Sequence, residues 1–335
     1  MDKQKTRRAA PLFVGRAAAL LARLWKEENL RTLTTGVQRF LLCAVLARGT
    51  VLGGYTPFGL AMAAALMARG AGLSAVGGVV CGLMLLDDGL KSGVYMAAVL
   101  LVLCVMSVCA GLRIVSKAWF APVVAALAGT ACTFVFLPVG AALDMGALVP
   151  FIGVQLLTLG ACRVYGAALA PPRDENDWRR PVTLLFLIAT VLLSLSDLCP
   201  LGLLSPARAI ALLLTLAAAY LGGAAPGAAA GVALGAAMDI AAGQGALFTC
   251  CYGLCALVAG LFRDSGRIWF AVCALGAGLC AAMLGVDHPL FVPMVLELVC
   301  AAAAFLALPT VVWDAVRHSL LPDTLLGEAA HRTVR

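Results

Sequence analysis

Apolar stretches follow one another along most of the chain, each of roughly 20 residues, the length of a helix that crosses about 30 Å of hydrocarbon. Both faces of each stretch are apolar, as in 184–195 and 211–220, whereas strands of a membrane barrel alternate in polarity over about 10 residues. The pattern therefore predicts membrane helices. We expect them at 38–54, 55–69, 71–86, 92–112, 118–139, 146–165, 181–197, 207–225, 226–243, 246–262, 268–285 and 289–312.

The predicted fold class is all-α, a polytopic helical membrane bundle of about 10–12 transmembrane helices. The count is open because 38–54 runs on into 55–69, and 207–225 into 226–243, with almost no loop. A count of ten implies that some of these segments are re-entrant. Either count is even, so both chain ends are expected on the same side of the membrane.

One polar stretch, 166–180, interrupts the apolar pattern and divides the membrane region into 37–165 and 181–313. A basic segment precedes this region at 1–36, and a tail follows it at 314–335. The basic segment is expected either to lie as an amphipathic helix on an anionic membrane surface or to form a solvated tail.

A short internal similarity supports the hypothesis of two similar halves. Residues 78–82 read Gly-Val-Val-Cys-Gly and residues 231–235 read Gly-Val-Ala-Leu-Gly, and an Asp follows each within a few residues. Six helices in each half would make the halves parallel and not inverted. Helices rich in Ala and Gly also produce such matches by chance, so the alternative of unrelated halves stays open.

The composition excludes a soluble globular chain. Of 335 residues, 63% are hydrophobic and 12% charged, whereas soluble domains carry about 25% charged residues. The mean hydropathy is +1.01. The net charge of +7 comes from the basic N-terminal segment and from basic residues at helix ends. They are not interleaved with aromatic residues on a soluble face, so no nucleic-acid partner is expected. The 13 cysteines include no CxxC pair, and neither a metal nor a cofactor is expected.

The distribution of Lys and Arg predicts the orientation, because short cytoplasmic connections collect basic residues. With the N-terminus inside, the outer connections hold Lys91 and Arg208. We therefore expect a multi-pass protein of the inner (cytoplasmic) membrane, with both termini and the 166–180 linker in the cytoplasm. The inner connections hold Arg69, Arg113, Lys117, Arg163, Arg173, Arg179, Arg180, Arg263 and Arg267.

Four polar residues lie inside apolar segments: Arg48, Gln155, Asp239 and Glu297. An unpaired charge at the bilayer centre costs at least about 2.5–3.5 kcal/mol, so each charged group should face protein, water or an opposite charge. From their depths along the first and last segments, we expect Arg48 and Glu297 to form an ion pair. The alternatives are that Arg48 reaches to water at the surface, or that these groups form a substrate or proton site.

Glycines at four-residue spacing predict close helix packing of the small-xxx-small kind. Gly227, Gly231 and Gly235 form one such series, which Asp239 continues. The series drifts around a helix of 3.6 residues per turn, so Gly231, Gly235 and Asp239 are expected to form its useful core. A transport pathway is the alternative to simple packing. The packing candidates are Gly78, Gly82, Gly227, Gly231 and Gly235.

No sequence motif predicts a catalytic centre. Two GxGxxA matches, at 70–75 and 276–281, lack the preceding strand of a nucleotide-binding unit. The three histidines, His288, His318 and His331, have no evident nucleophile or acid partner. This chain is therefore not expected to be an enzyme.

Several stretches, taken in order, resemble the N-terminal membrane region of stage II sporulation protein E, a membrane-bound serine phosphatase of endospore-forming bacteria. An Arg is followed by Pro-Phe at the start of the next helix, then come a Gly-rich run and a Leu-Glu-Leu helix. The resemblance covers most of 38–325. Its stretches are 46–48, 55–61, 222–235, 257–262, 296–298 and 306–309.

The resemblance implies anchoring, oligomerisation and placement at the asymmetric division septum, with septal proteins and further copies of the chain as partners besides the lipid bilayer. In the family, a metal-dependent phosphatase domain of the PP2C type follows the membrane region and helps to activate the forespore sigma factor. No stretch of this chain resembles that domain, so no phosphatase residue is carried over. Two alternatives stay open, a small-solute or ion-coupled carrier and a septal scaffold without an enzymatic partner.

Overall fold

The computed structural model describes residues 27–86, 89–115, 117–136, 145–170, 179–196, 204–243, 245–309 and 313. These residues form twelve α-helices. In chain order, α1 to α12 are Glu27–Ala47, Pro57–Met67, Gly72–Met84, Gly89–Val108, Phe120–Phe136, Met145–Ala168, Arg179–Leu195, Pro206–Gly222, Ala224–Ala242, Leu247–Leu261, Arg267–Ala282 and Phe291–Ala307. Two short 3₁₀ turns, Arg263–Ser265 and Met283–Gly285, lie beside α11.

Each helix corresponds to one of the twelve predicted segments, and the prediction of an all-helical bundle is confirmed. Four helices are long and apolar enough to cross a membrane by themselves, and seven further apolar helices have 10–17 residues. The four long spans are Gly89–Val108, Leu148–Ala168, Ala224–Ala242 and Arg267–Gly285. The fold is therefore that of a helical membrane bundle.

The first helix differs from the prediction, because α1 begins at Glu27 and not at 38. Its first three turns or so, at 3.6 residues per turn, come from the segment that we expected to stay outside the membrane region, and they include the Thr-rich stretch 32–35. β-Branched residues lower helix propensity by only a few tenths of a kcal/mol each, to about 0.7 kcal/mol at most. The rest of the basic segment, 1–26, and the tail, 314–335, lie outside the described residues.

The first half of the bundle is built around α2. Every residue of α2 is buried, and this helix contacts α1, α3, α4, α5 and α6. Its many alanines let these neighbours approach closely. Gly59 shows how close α1 comes, because a Cβ atom added to Gly59 would lie 2.7 Å from Cα of Ala47.

The second half repeats this arrangement around α8. That helix contacts α7, α9, α10 and α12. These are the first, third, fourth and sixth helices of the second half, and α2 contacts the helices at the same four places in the first half. In both halves the first helix also packs on the third, the third on the fourth, the fourth on the fifth and the fifth on the sixth. The two halves join where α7 contacts α1 and α6.

A single glycine separates α8 from α9. Gly223 has φ of +89°, a backbone conformation that a residue with a side chain rarely adopts. α9 therefore begins at Ala224. We expected it to begin two residues later, at Pro226. Pro226 still lies in the first turn, where its missing N–H leaves no helical hydrogen bond unmade.

Candidate functional site

Glu297 is the most deeply buried acidic side chain in the described part of the chain, with 1% of its surface exposed. It lies on α12 and faces the start of α8. Its Oε1 accepts a hydrogen bond from the backbone N–H of Ser205 at 2.9 Å and lies 3.2 Å from Nε of Arg208. The partner of Glu297 is therefore Arg208.

The predicted ion pair between Arg48 and Glu297 is wrong. The prediction placed Arg48 in the middle of the first span, but α1 ends at Ala47, so Arg48 follows the helix and lies near its end. Arg208 was assigned to an outer connection, yet it is the third residue of α8 and is 9% exposed. α1 ends seven residues before the predicted limit at 54, which takes Arg48 out of the helix, whereas Arg208 already lay within the predicted segment 207–225.

The Arg208 side chain lies between α12 and α10. Its guanidinium carbon lies 5.5 Å from the ring centroid of Phe248, close enough for a cation–π interaction. Its backbone carbonyl accepts a hydrogen bond from the hydroxyl of Tyr252 at 3.1 Å. Arg208 therefore connects three helices, α8, α10 and α12.

Asp239 holds the start of α10. One carboxylate oxygen accepts the backbone N–H of Phe248 at 2.8 Å. The other accepts the backbone N–H of Thr249 at 2.8 Å and its hydroxyl at 2.6 Å. These two amides are the second and third of α10 and have no partner within their own helix. Since the residue before the helix, Ala246, supplies no side-chain cap, the carboxylate of α9 caps its neighbour.

These contacts form a buried polar cluster, which we define as Ser205, Arg208, Asp239, Thr249, Tyr252 and Glu297, with the Phe248 ring beside Arg208. In each case a carboxylate meets the backbone at a helix start, where the partial positive charge of the helix favours an anion. Oε2 of Glu297 makes no hydrogen bond to any residue that the structure describes. The cluster can therefore hold four helices together, and it contains one carboxylate oxygen able to accept a proton.

Gln155 lies apart from this cluster, on α6 in the first half. Its side-chain oxygen is buried without a hydrogen-bond partner among the described residues. It packs against Gly129 of α5, where an added Cβ atom would lie 3.1 Å from that oxygen. A Cβ at Gly129 would also lie 3.3 Å from Leu60 of α2. Gln155 therefore lies where the second, fifth and sixth helices of its half meet.

The candidate glycines lie at helix contacts in both halves. Gly78 and Gly82 face α1, where added Cβ atoms would lie 2.8 Å from the Cβ atoms of Cys43 and Ala47 respectively. In the second half, Gly231 and Gly235 face α10, and Asp239 continues that face one turn later. Gly227 faces α8 instead, with an added Cβ only 2.5 Å from Cβ of Ala219.

We expect the substitution Gly231→Ala to destabilise the bundle by about 1–3 kcal/mol, the usual range for an overpacked contact. An added Cβ would lie 2.6 Å from the carbonyl oxygen of Tyr252, and backbone cannot move aside as a flexible side chain can. The matched control is Gly276→Ala on α11, where an added Cβ meets nothing within 4 Å. Thermal unfolding in detergent should show a lower midpoint for the first variant and an unchanged or higher one for the second. Equal midpoints would contradict this interpretation.

Sequence reasoning found the two acids of the cluster but missed Ser205, Thr249 and Tyr252. A signal for part of it was present, since Arg208 falls inside the predicted segment 207–225 and Ser205-Pro206 is a typical helix start. The partners on α10 carry no such signal, because backbone amides and a Tyr among apolar residues look like ordinary core. Among the described residues, no group of three His, Cys, Asp or Glu side chains could hold a metal ion.

Comparison of the chain with protein-family models, with curated proteins and with solved structures finds no match.

Proposed function

We propose that this chain is a membrane anchor and oligomerisation domain of a sporulation serine phosphatase, acting at the asymmetric division septum. The resemblance described above suggests the phosphatase, and the use of the buried charges supports the anchor. Asp239 and Glu297 both bind the starts of neighbouring helices, α10 and α8, so they join the second half into one unit. Because both carboxylates bind backbone amides and hold helices in place, they support an anchoring role.

The proposed orientation has both termini in the cytoplasm of an inner-membrane protein. Arg69 donates hydrogen bonds to the carbonyls of Gly166 and Leu169, and Arg163 donates to the carbonyl of Ala118 at 2.7 Å. The end of α2, the end of α6 and the start of α5 therefore meet at one end of the bundle, which we call the basic end. Positive charge concentrated at this end supports a cytoplasmic location for it.

The test is a fluorescent fusion of the complete chain, expressed in an endospore-forming bacterium that enters sporulation. We expect fluorescence throughout the cell membrane before division and its concentration at the asymmetric septum afterwards. An unrelated polytopic membrane protein with the same fluorescent tag is the control. Fluorescence that stays evenly distributed around the cell while the septum forms would contradict the septal role.

A carrier is the second candidate, and the repeated packing order favours it. Many secondary transporters consist of two similar halves with charged residues near the bilayer midplane, and here the Glu297 carboxylate is buried beside Arg208. Proteoliposomes with an enclosed pH-sensitive dye separate the two proposals. A proton flux that is lost in the Glu297→Gln variant would favour the carrier, whereas the anchor gives the background flux of empty liposomes.

A further inference from the structure

A nine-residue pattern occurs twice in the chain, at 113–121 and at 263–271. The first copy reads Arg-Ile-Val-Ser-Lys-Ala-Trp-Phe-Ala and the second reads Arg-Asp-Ser-Gly-Arg-Ile-Trp-Phe-Ala. Both copies have a basic residue at the first and fifth positions and Trp-Phe-Ala at the last three. Such a match is more specific than a similarity between Ala/Gly-rich helices, because tryptophan occurs only five times in this chain.

The two copies also occupy the same place in the fold. Each begins the fifth helix of its half, α5 or α11, within the shared packing order. A second pattern leads into α2 and α8. It reads Leu-Gly-Gly-Tyr-Thr-Pro at 52–57 and Leu-Gly-Leu-Leu-Ser-Pro at 201–206, and its Pro is the first residue of each helix. A tyrosine on the fourth helix then interacts with the start of the second helix in each half, Tyr95 with Thr56 and Tyr252 with Arg208. The halves are therefore parallel repeats in register.

Core packing explains only part of the repeated pattern. Its Phe and Ala are buried in both copies, and similar packing would retain them. Its Trp is exposed in both, 48% for Trp119 and 64% for Trp269. Arg113 and Lys117 are also exposed. Since exposed side chains contribute little to the core, the recurrence of the exposed Trp beside basic residues indicates a role at the surface.

The chemistry of this surface matches the headgroup region of a membrane. Trp is enriched where lipid meets water, and basic residues beside it attract anionic lipid headgroups. In the first repeat, Arg163 adds a third cation by donating to the carbonyl of Ala118, inside the pattern. We propose that Arg113, Lys117 and Trp119 together with Arg163 form a binding site for the phosphate headgroup of an anionic phospholipid, and that Arg263, Arg267 and Trp269 form an equivalent, weaker site.

The second site is weaker because it carries less net positive charge, with two cations and the acid Asp264. Nε of Arg263 lies 3.2 Å from the carboxylate of Asp264. Arg267 donates to the carbonyls of Phe305 and Leu308 at 2.8 and 2.7 Å and holds the end of α12. The first site has three cations and, among the described residues of 113–121, no acid.

The experiment measures bound lipid by native mass spectrometry of the complete chain, released from detergent containing phosphatidylglycerol or phosphatidylcholine. We expect phosphatidylglycerol to be retained in preference to phosphatidylcholine. The double variant Arg113→Gln/Lys117→Gln should bind phosphatidylglycerol at least about tenfold more weakly, because each basic residue near an anionic surface contributes appreciably. The conservative variant Arg113→Lys/Lys117→Arg should keep the binding and shows that the fold tolerates change at these positions.

The matched control removes the same charge elsewhere at the basic end. Arg179 and Arg180 begin α7, are exposed and lie outside the repeated pattern. The variant Arg179→Gln/Arg180→Gln should retain phosphatidylglycerol as the unchanged chain does. Equal losses in the two double variants would show a general effect of positive charge and overturn the proposed site. Equal retention of the two lipids by the unchanged chain would also overturn it.

Discussion

Replacing Glu297 with alanine is expected to lower the free energy of unfolding by about 3–5 kcal/mol, the usual cost of removing one partner of a buried ion pair. The substitution leaves Arg208, which is 9% exposed, without its carboxylate partner, and it removes the acceptor of the Ser205 amide. Stability of the purified chain in detergent, measured by unfolding in increasing denaturant, should show this loss as an earlier transition. This is the largest effect that we expect from a single substitution.

A double-mutant cycle separates the pair from simple loss of packing. Arg208→Ala alone should also be strongly destabilising, and Glu297→Ala/Arg208→Ala together should cost less than the sum of the two, because neither charge is then left alone. The matched cycle pairs Glu297→Ala with Arg48→Ala, and there the losses should add. Additive losses for Arg208 and coupled losses for Arg48 would reverse our assignment of the ion pair.

The substitution Asp239→Ala is expected to have the second largest effect, about 2–4 kcal/mol, from lost capping and lost charge-assisted hydrogen bonds. The variant leaves the amides of Phe248 and Thr249 and the Thr249 hydroxyl without their acceptor. Hydrogen exchange in detergent should report the loss locally, with faster exchange at those two amides than in the middle of α10.

Two further variants serve as controls for the stability measurement. Asp239→Asn keeps one side-chain oxygen as an acceptor, so we expect it to recover part of the stability lost in the alanine variant. Asp264→Ala removes an acid whose side chain is 90% exposed and should change stability by less than about 0.5 kcal/mol, as surface substitutions usually do. An Asp239→Ala variant as stable as Asp264→Ala would show that the cap contributes nothing.

The small-xxx-small pattern shows where sequence reasoning about the site succeeded. The four-residue spacing selected Gly231, Gly235 and Asp239 as one face, and the structure places all three against α10. The pattern could not show that Gly227 turns toward α8, because helix spacing describes one helix and not its neighbours. It also could not show that Asp239 is a cap, since the capped amides belong to another helix.

The sequence by itself determined the all-helical class and the approximate positions of the helices, while leaving their number open between about 10 and 12, because hydropathy and helix length depend only on residues close in the chain. It also placed Asp239 and Glu297 in the interior. Only the tertiary structure decided the partners of those acids. Ser205, for example, lies 92 residues before Glu297 in the sequence. Pairing over such distances depends on which helix ends meet, and in the structure the start of α8, which carries Arg208, meets α12.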